Sequence, residues 1–154
     1  PEAHGGFSRA ETVVRPAIAD RTYGYRTRNV EAQRRDPSSL LNWQERLIRM
    51  RKECQEIGWG DYSVLRTTAP SVLGLCYDWR GTALITIHNF SPRTVHTEFA
   101  TDRAHGDVLF DVFDGTRHKA ARNGRHRLTL KPWAWHWLRV GDGDNVLARQ
   151  ALDV

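Results

Sequence analysis

Acidic side chains are the first candidates for chemistry, because glycoside cleavage needs two carboxylates facing each other across a pocket, about 5–10 Å apart. Most acids of this chain lie in turn sequences, as Asp78 and Asp114 do, where aspartate bonds the local backbone by default. No stretch places two of them in a predicted cleft. The GxSxG, HExxH, Walker and GxGxxG motifs are also absent. The sequence therefore predicts no catalytic residues in this chain.

Histidines and cysteines do not indicate a metal site. No two of the seven histidines lie at ligand spacing on one predicted element. His88 and His136 fall on predicted strands and are interpreted as surface or edge residues. Cys54 and Cys76 are not part of a CxxC motif, and we expect two free thiols in a reducing cytoplasm. We expect no metal and no cofactor.

A row of tryptophans is the most conspicuous aromatic feature. Trp133, Trp135 and Trp137 recur with period two, which places all three on one face of a strand. Such a row fills the core of a sheet protein with large apolar area, or it forms an exposed platform on which sugar rings stack. Core packing is the simpler interpretation, and an autonomous, non-catalytic carbohydrate-binding β-module is the alternative.

A second group of residues has the types that bind a polyol. Tyr23 and Tyr25 supply rings for stacking, and Asn29 and Gln33 supply amide donors and acceptors. These four residues are the candidate substrate-binding residues. They lie in residues 1–36, which show neither helical nor strand periodicity and are predicted to be an irregular loop segment.

The elements that follow this segment have clearer patterns. Asp36 and Pro37 suit a helix start, and apolar residues then recur at helical spacing, which predicts one long amphipathic helix over residues 37–56, within a helical segment of residues 37–58. The stripe contains Leu40, Trp43, Leu47 and Met50. It is wide enough to need a partner surface, and we expect these four side chains to be partly exposed in this chain.

Residues 59–140 predict an antiparallel β-sandwich of Greek-key type, followed by a tail over residues 141–154. The turn sequences Arg80-Gly81, Asp114-Gly115 and Asn123-Gly124 separate short strands. The predicted strands are Tyr62–Arg66, Val72–Asp78, Ala83–Asn89, Thr94–Phe99, Val108–Phe113, Arg117–Ala120, His126–Leu130 and Trp135–Val140. The fold class is therefore mainly β.

Composition excludes several classes of protein. The chain has 154 residues and a formal charge of +5, but its basic residues are spread along the sequence and interleaved with acids. A nucleic-acid module would concentrate them on one face. No apolar run reaches the ~20 residues of a membrane-spanning helix. The only methionine is Met50, so we interpret the chain as a processed product, a designed chain or a fragment.

Three motifs together resemble a known family. They are Gly5-Gly6-Phe7-Ser8, Tyr23-Gly24-Tyr25 and the run from Asn29 to Lys52, which contains Asp36-Pro37-Ser38-Ser39-Leu40-Leu41-Asn42-Trp43. They resemble the end of the catalytic domain in the trehalose synthase family, the maltose α-D-glucosyltransferases of the α-amylase superfamily (glycoside hydrolase family thirteen). The resemblance continues more weakly to about residue 140.

The resemblance implies an architecture. The helix would be the last helix of a (β/α)8 barrel that this chain lacks, and the sandwich would be the domain C that follows it. Residues 1–36 would be the last βα loop, on the face where barrel enzymes have their active sites.

The resemblance also implies a function for the parent enzyme. That enzyme would interconvert maltose and trehalose by intramolecular transglucosylation in the cytoplasm, with carboxylates from earlier barrel strands. This chain would supply a wall of the sugar pocket and a stabilising domain, and would be inactive alone. Its partners would be the disaccharide and the missing barrel, with neither nucleic acid nor membrane. A homo-oligomer is compatible with the family, and calcium, where bound, would lie outside this segment.

Overall fold

The computed structural model describes residues 2–101, 108–120 and 125–141. The chain divides into two compact units, Pro1–Arg49 and Met50–Val154. The turn predicted at Asn123-Gly124 and the tail predicted beyond Gly141 lie outside the described residues. The two units are taken in turn below.

Two helices, α2 (Leu40–Glu53) and α3 (Gln55–Trp59), stand where one long helix was predicted, and a third, α1 (Val30–Arg35), lies within residues 1–36, which were predicted to be irregular. A short 3-10 turn covers Ala3–Gly6. The predicted helix over residues 37–56 is therefore wrong in its extent: α2 has 14 residues, about 21 Å at 1.5 Å per residue.

Side-chain hydrogen bonds explain the late start of α2. The Asp36 carboxylate accepts from the backbone N–H of Ser38 at 2.9 Å, which makes a turn there instead of a helix cap. Ser39 takes the capping role, since its Oγ accepts from the N–H of Asn42 at 3.3 Å. At the other end, Cys54 has φ −91° and ψ 81°, outside the helical region, and separates α2 from α3.

The apolar stripe of α2 is incompletely covered, as predicted. No residue of α2 is buried. Leu40 is 63% exposed and Ile48 is 57% exposed. Trp43, Leu47 and Met50 are half-buried.

The described part of the second unit contains eight antiparallel strands, which confirm the predicted fold class. One sheet has six strands in the order β1-β2-β3-β8-β5-β6, and a smaller sheet pairs β4 with β7. The strands are β1 (Asp61–Leu65), β2 (Val72–Trp79), β3 (Thr82–Asn89), β4 (Val95–Ala100), β5 (Val108–Asp111), β6 (Arg117–Lys119), β7 (Arg125–Leu130) and β8 (Trp135–Val140).

Facing sides of the two sheets enclose one apolar core. The large sheet contributes Ile85, Ile87 and Leu138, and the small sheet contributes Phe99 and Leu130. All five side chains are fully buried. Because side chains alternate along a strand, the residues between them on β3 and β8 point to the outer face of the large sheet.

The β2–β3 hairpin forms where the sequence predicts it. Trp79 pairs with Thr82, and the two residues between them, Arg80 and Gly81, have φ values of 47° and 85°. Positive φ at both central positions is the geometry of a type I′ turn, which matches the twist of paired strands.

A buried ion pair covers part of the outer face of the large sheet. Arg139 of β8 lies opposite Leu84 of β3 in the strand register, on the face away from the core. Its Nε lies 3.2 Å from Oε1 of Glu56 in α3, and its Nη2 donates to Oε2 at 3.3 Å. The Glu56 side chain is only 1% exposed. Nη2 also lies 3.7 Å from Sγ of Cys54, and burial raises the pKa of that thiol to about 11. The ion pair thus ties α3 to β8.

A closed loop around Gly24 organises the first unit. The Asp20 carboxylate accepts from the N–H groups of Tyr23 at 2.6 Å and Thr22 at 2.7 Å, and these bonds lower the pKa of Asp20. The N–H of Gly24 donates to the Asp20 carbonyl, and that of Tyr25 donates to the Ile18 carbonyl, both at 3.0 Å. A Cβ on Gly24 would overlap the Asp20 carbonyl oxygen. Only glycine therefore fits at this position.

Glu56→Gln should destabilise the second unit by about 3–5 kcal/mol, because it leaves the Arg139 guanidinium buried without a counter-charge. Urea unfolding followed by tryptophan fluorescence measures the change. Glu53→Gln, at an exposed position of α2, is the matched control and should change stability by less than about 0.5 kcal/mol. The double variant Glu56→Met/Arg139→Met should recover part of the loss. Coincident unfolding curves for Glu56→Gln and the wild type would contradict the assignment.

Gly24→Ala should open the loop of the first unit, because the added methyl group cannot be placed without moving the Asp20 carbonyl. Limited trypsin digestion should then cleave after Arg21, Arg26 and Arg28 several-fold faster than in the wild type. Gly58→Ala is the control: its Cβ would meet only the guanidinium end of the flexible Arg51 side chain, so cleavage after these three arginines should be unchanged. Equal cleavage rates for Gly24→Ala and the wild type would refute the steric argument.

Candidate functional site

Asn29 caps helix α1, which lies beside the candidate site. Its side-chain oxygen accepts from the N–H of Ala32 at 2.8 Å and caps α1. Its Nδ2 donates to the carbonyls of Tyr25 at 3.0 Å and Arg26 at 3.2 Å. The amide therefore fixes the position of Tyr25 relative to α1.

Gln33 joins α1 to α2. Its Oε1 accepts from the N–H of Leu41 at 3.1 Å. Its backbone carbonyl accepts from Ser39 Oγ at 2.6 Å and from Asn42 Nδ2 at 2.9 Å. Within residues 2–101 the Nε2 group makes no hydrogen bond. The Oε1 atom of Gln33 is thus used at the start of α2, and its Nε2 group remains as a donor.

Two clefts in the first unit contain the four predicted residues. The first has a volume of about 430 Å³, and Tyr25, Asn29 and Gln33 line it together. The second has a volume of about 410 Å³, with Tyr23 and Tyr25 in its lining. These volumes are in the range of small-molecule sites. The structure therefore brings the predicted residues to two clefts that share Tyr25.

Phe7 and Arg28 also line both clefts, and sequence reasoning did not propose them as site residues. Phe7 is 91% exposed and follows a turn in which Gly5 and Gly6 have φ values of 67° and 79°. A Cβ on Gly5 would lie 3.3 Å from Cβ of Tyr25, so this glycine lets the turn approach the site. The Gly-Gly-Phe-Ser run was the available signal for Phe7, and Arg28 had none.

Two of the charged residues that line the clefts, Arg28 and Glu31, have partners within the first unit. Arg28 donates from Nε to the Thr22 carbonyl at 3.2 Å. Glu31, which lines the first cleft, pairs with Arg35 at 2.6 Å. The Arg26 guanidinium lies 5.8 Å from the Tyr25 ring centre, a cation–π distance. The arrangement offers aromatic faces and hydrogen-bond donors to a neutral, polyhydroxylated ligand.

The tryptophan row does not form in the predicted way. Trp133 precedes β8, has a φ of 58° and is 62% exposed. Trp135 and Trp137 are half-buried on the outer face, since Trp137 lies opposite Thr86 in the register whereas Ile85 and Ile87 face the core. Phe113 meets both rings edge-on, at 4.7 and 5.4 Å. The prediction that the row fills the core is therefore wrong, and the planes of Trp135 and Trp137 differ by 65°, so they form no flat platform.

Metal and membrane features can be assessed for the described residues only. Residues 2–101, 108–120 and 125–141 contain no group of three or more histidine, cysteine or carboxylate side chains placed to hold a metal ion. Among the helices of those ranges, none has the length and apolarity needed to cross a membrane.

Comparisons with known proteins identify relatives of the chain. Residues 81–139 match the family described as "Sucrose hydrolase-like, C-terminal domain". A trehalose synthase of Pimelobacter sp. is 31% identical over 150 residues, which is 94% of this chain and 26% of that protein. A trehalose synthase of Thermus thermophilus is 30% identical over 129 residues, 82% of this chain and 13% of that protein.

A solved structure shares the fold. The α-amylase of Geobacillus thermoleovorans, crystallised with acarbose, superposes with a TM-score of 0.62 at 15% identity, covering 77% of this chain and 26% of the amylase. At that identity the likeness concerns the fold alone. The chain spans about a quarter of the Pimelobacter relative. This chain is thus similar, along most of its length, to a part of the trehalose synthases, and its residues 81–139 correspond to a sucrose-hydrolase-like C-terminal domain.

Proposed function

We propose that this chain is a part of a trehalose-synthase-type enzyme, which interconverts maltose and trehalose by intramolecular transglucosylation, and that it supplies a pocket wall and a stabilising domain. The observation that carries the proposal is the cleft shared by Tyr25, Asn29 and Gln33. That cleft lies in a chain of which 94% aligns with a trehalose synthase.

The chemistry of the cleft suits a disaccharide. Phe7 and Tyr23 are 91% and 72% exposed, and exposed aromatic faces stack on the C–H faces of sugar rings. The remaining donor group of Gln33 and the guanidinium of Arg28 would bond sugar hydroxyls. In this proposal Asn29 acts indirectly, because its amide is used to cap α1 and to hold Tyr25.

The catalytic carboxylates would come from another part of the enzyme. A retaining transfer needs a nucleophile and an acid/base about 5 Å apart. Glu31, which lines the first cleft, is already paired with Arg35. In our proposal this chain orients the sugar while groups outside it form and break the glycosidic bond. We propose no cofactor, and any calcium of the enzyme would lie outside this segment.

The partly exposed stripe of α2 supports an intramolecular partner. Leu40 and Ile48 are more than half exposed, whereas a helix of a complete domain buries such residues. We propose that a (β/α)8 barrel of the same enzyme covers this stripe. Cys54 is a free, buried thiol, which fits a reducing compartment, so we propose a cytoplasmic enzyme.

A carbohydrate-binding module is the second candidate function. The observation that favours it is the exposure of Trp133 at 62%, on a turn with a positive φ. Trp133 is the only member of the row available for this role, because Trp135 and Trp137 pack against Phe113.

The purified chain should not convert maltose to trehalose, because it holds the pocket wall without the catalytic carboxylates. Incubation with 13C-labelled maltose, followed by NMR of the sugar products, measures conversion directly. Product should stay at the level of a protein-free blank. Reproducible trehalose formation by the chain alone would contradict the proposal.

Tyr25→Ala should weaken sugar binding in a chimaera in which this chain replaces the matched 150-residue segment of the Pimelobacter enzyme. The KM for maltose should rise about tenfold, equal to ~1.4 kcal/mol of lost stacking, with a smaller change in kcat.

Tyr62→Ala is the matched control for this substitution, since Tyr62 is an exposed tyrosine of β1. It should leave the KM unchanged. A folded but inactive parent chimaera would overturn the proposed function. An unchanged KM in the Tyr25→Ala chimaera would overturn the proposal that Tyr25 belongs to a wall of the sugar pocket.

A further inference from the structure

Two histidines and an aspartate meet on three strands of the large sheet. His136 of β8 places its Nδ1 2.7 Å from Oδ2 of Asp111 at the end of β5. The ring of His118 in β6 lies 6.1 Å from the ring of His136. The sequence interpretation of His136 as an ordinary surface or edge residue is therefore wrong, since it is partnered and its side chain is 27% exposed. We call Asp111, His118 and His136 the histidine cluster.

Asp111 is the anchor of the cluster. Its side chain is 4% exposed, and its Oδ2 lies at hydrogen-bond distance from Nδ1 of His136, with the ring N–H as the donor and the carboxylate oxygen as the acceptor. The other carboxylate oxygen accepts from the N–H of Phe113 at 2.8 Å. Asp111 therefore holds both the loop between β5 and β6 and the neighbouring strand β8.

The surroundings of the His118 ring disfavour its protonated form. Leu109, which pairs with it, belongs to the core, so the His118 ring is on the inner face of the sheet. Its Nε2 is buried and has no hydrogen-bond partner in the described part of the chain. Burial, followed by the charge of His136, lowers the pKa of His118, while Asp111 and Asp114 oppose that shift.

Within residues 2–101, 108–120 and 125–141, the neighbouring elements add few other charges near the cluster. Arg117 and Lys119 lie on the opposite face of β6, because side chains alternate along a strand. The carboxylate of Asp114 accepts from the N–H of Thr116 at 2.7 Å, within its own loop. From the smaller sheet, His126 lies on the inner face with its ring stacked on Phe99 at 5.5 Å.

We propose that the histidine cluster is an acid-sensitive latch, which holds the β5–β6 hairpin on the sheet near neutral pH and releases it when a second proton enters. One proton fits between His136 and Asp111. A second, on His118, puts a positive charge 6.1 Å from the His136 ring, in a partly buried site where Nε2 of His118 has no hydrogen-bond partner in the described part of the chain. Because β6 has three residues and, among the described strands, pairs only with β5, it is the most weakly held strand of the sheet.

The sign of the pH effect follows from linkage. The pKa of His118 is lower in the folded protein than its ordinary value of 6.5. The unfolded or opened state therefore binds the proton more strongly. Stability from this group is complete above pH 6.5 and is lost as the pH falls below 6.5 towards the folded pKa. The latch stands independently of the proposed sugar pocket.

Hydrogen–deuterium exchange of the full chain at pH 7.5 and pH 5.5 tests the latch. After correction for intrinsic exchange rates, the exchange of peptides covering 108–119 should show an opening equilibrium constant for the hairpin that is at least about threefold higher at pH 5.5. Peptides from β2 and β3 should not change. His118→Phe should abolish the pH response of the hairpin. His96→Phe, at an exposed histidine of β4 that bonds Thr129, should retain it.

A hairpin whose opening does not depend on pH would overturn the proposal, and so would a full pH response in His118→Phe. Should His118→Phe fail to fold, NMR titration of the ring protons of the wild type decides. His118 should take up its proton below pH 6.5, and the amide shifts of the hairpin should follow that step. Hairpin amide shifts that do not follow the titration of His118 would also overturn the latch.

Discussion

The fold of the second unit depends on covering both faces of strand β3. Its side chains from Ala83 to Ile87 are all buried, although antiparallel strands commonly expose one face. The small sheet covers the inner face through Phe99 and Leu130. Helix α3 covers part of the outer face, and the Glu56–Arg139 pair secures it there. A buried charge pair is costly to break, so the interaction specifies where α3 sits rather than simply adding stability.

Local hydrogen bonds, rather than an apolar core, hold the first unit together. Among residues 2–49, all of which the structure describes, only Gly24 and Ser39 are buried. Without an apolar core, its shape comes from hydrogen bonds that close local loops, from Asp20 to Tyr23, from Asn29 to Ala32 and from Gln33 to Leu41. Two of the residues that were predicted to bind substrate, Asn29 and Gln33, therefore use their side chains to hold the local structure. A pocket wall of this kind has exposed rings and needs a further surface to enclose a ligand.

This division of roles clarifies the proposed function. Aromatic rings and one amide donor can orient a sugar, but bond exchange at a glycosidic centre needs ionised and protonated carboxyl groups at a set separation. The first cleft is lined by Glu2 and Glu31, and Glu31 is paired with Arg35. The proposed latch of the sandwich depends on the cluster around Asp111, which joins β8 to the β5–β6 hairpin and contains His118, whose pKa burial lowers. The proposed sugar orientation and the proposed latch thus belong to different units.

The sequence by itself determined the elements that depend on local patterns. All eight strands appear close to their predicted bounds, because alternation and turn residues such as Arg80-Gly81 act within a few positions. The types and proximity of Tyr25, Asn29 and Gln33 suggested a polyol site, and the structure places all three in the lining of one cleft, while their binding of a sugar stays a prediction. Only the tertiary structure decided the rest. Asp36 forms a turn instead of capping α2 because Ser39 and Gln33 compete for the helix start. Trp137 faces outwards because its register with Thr86 decides which face meets the core. The pairing of His136 with Asp111 and of Glu56 with Arg139 joins residues far apart along the chain, and no local pattern contains the strand order that brings them together.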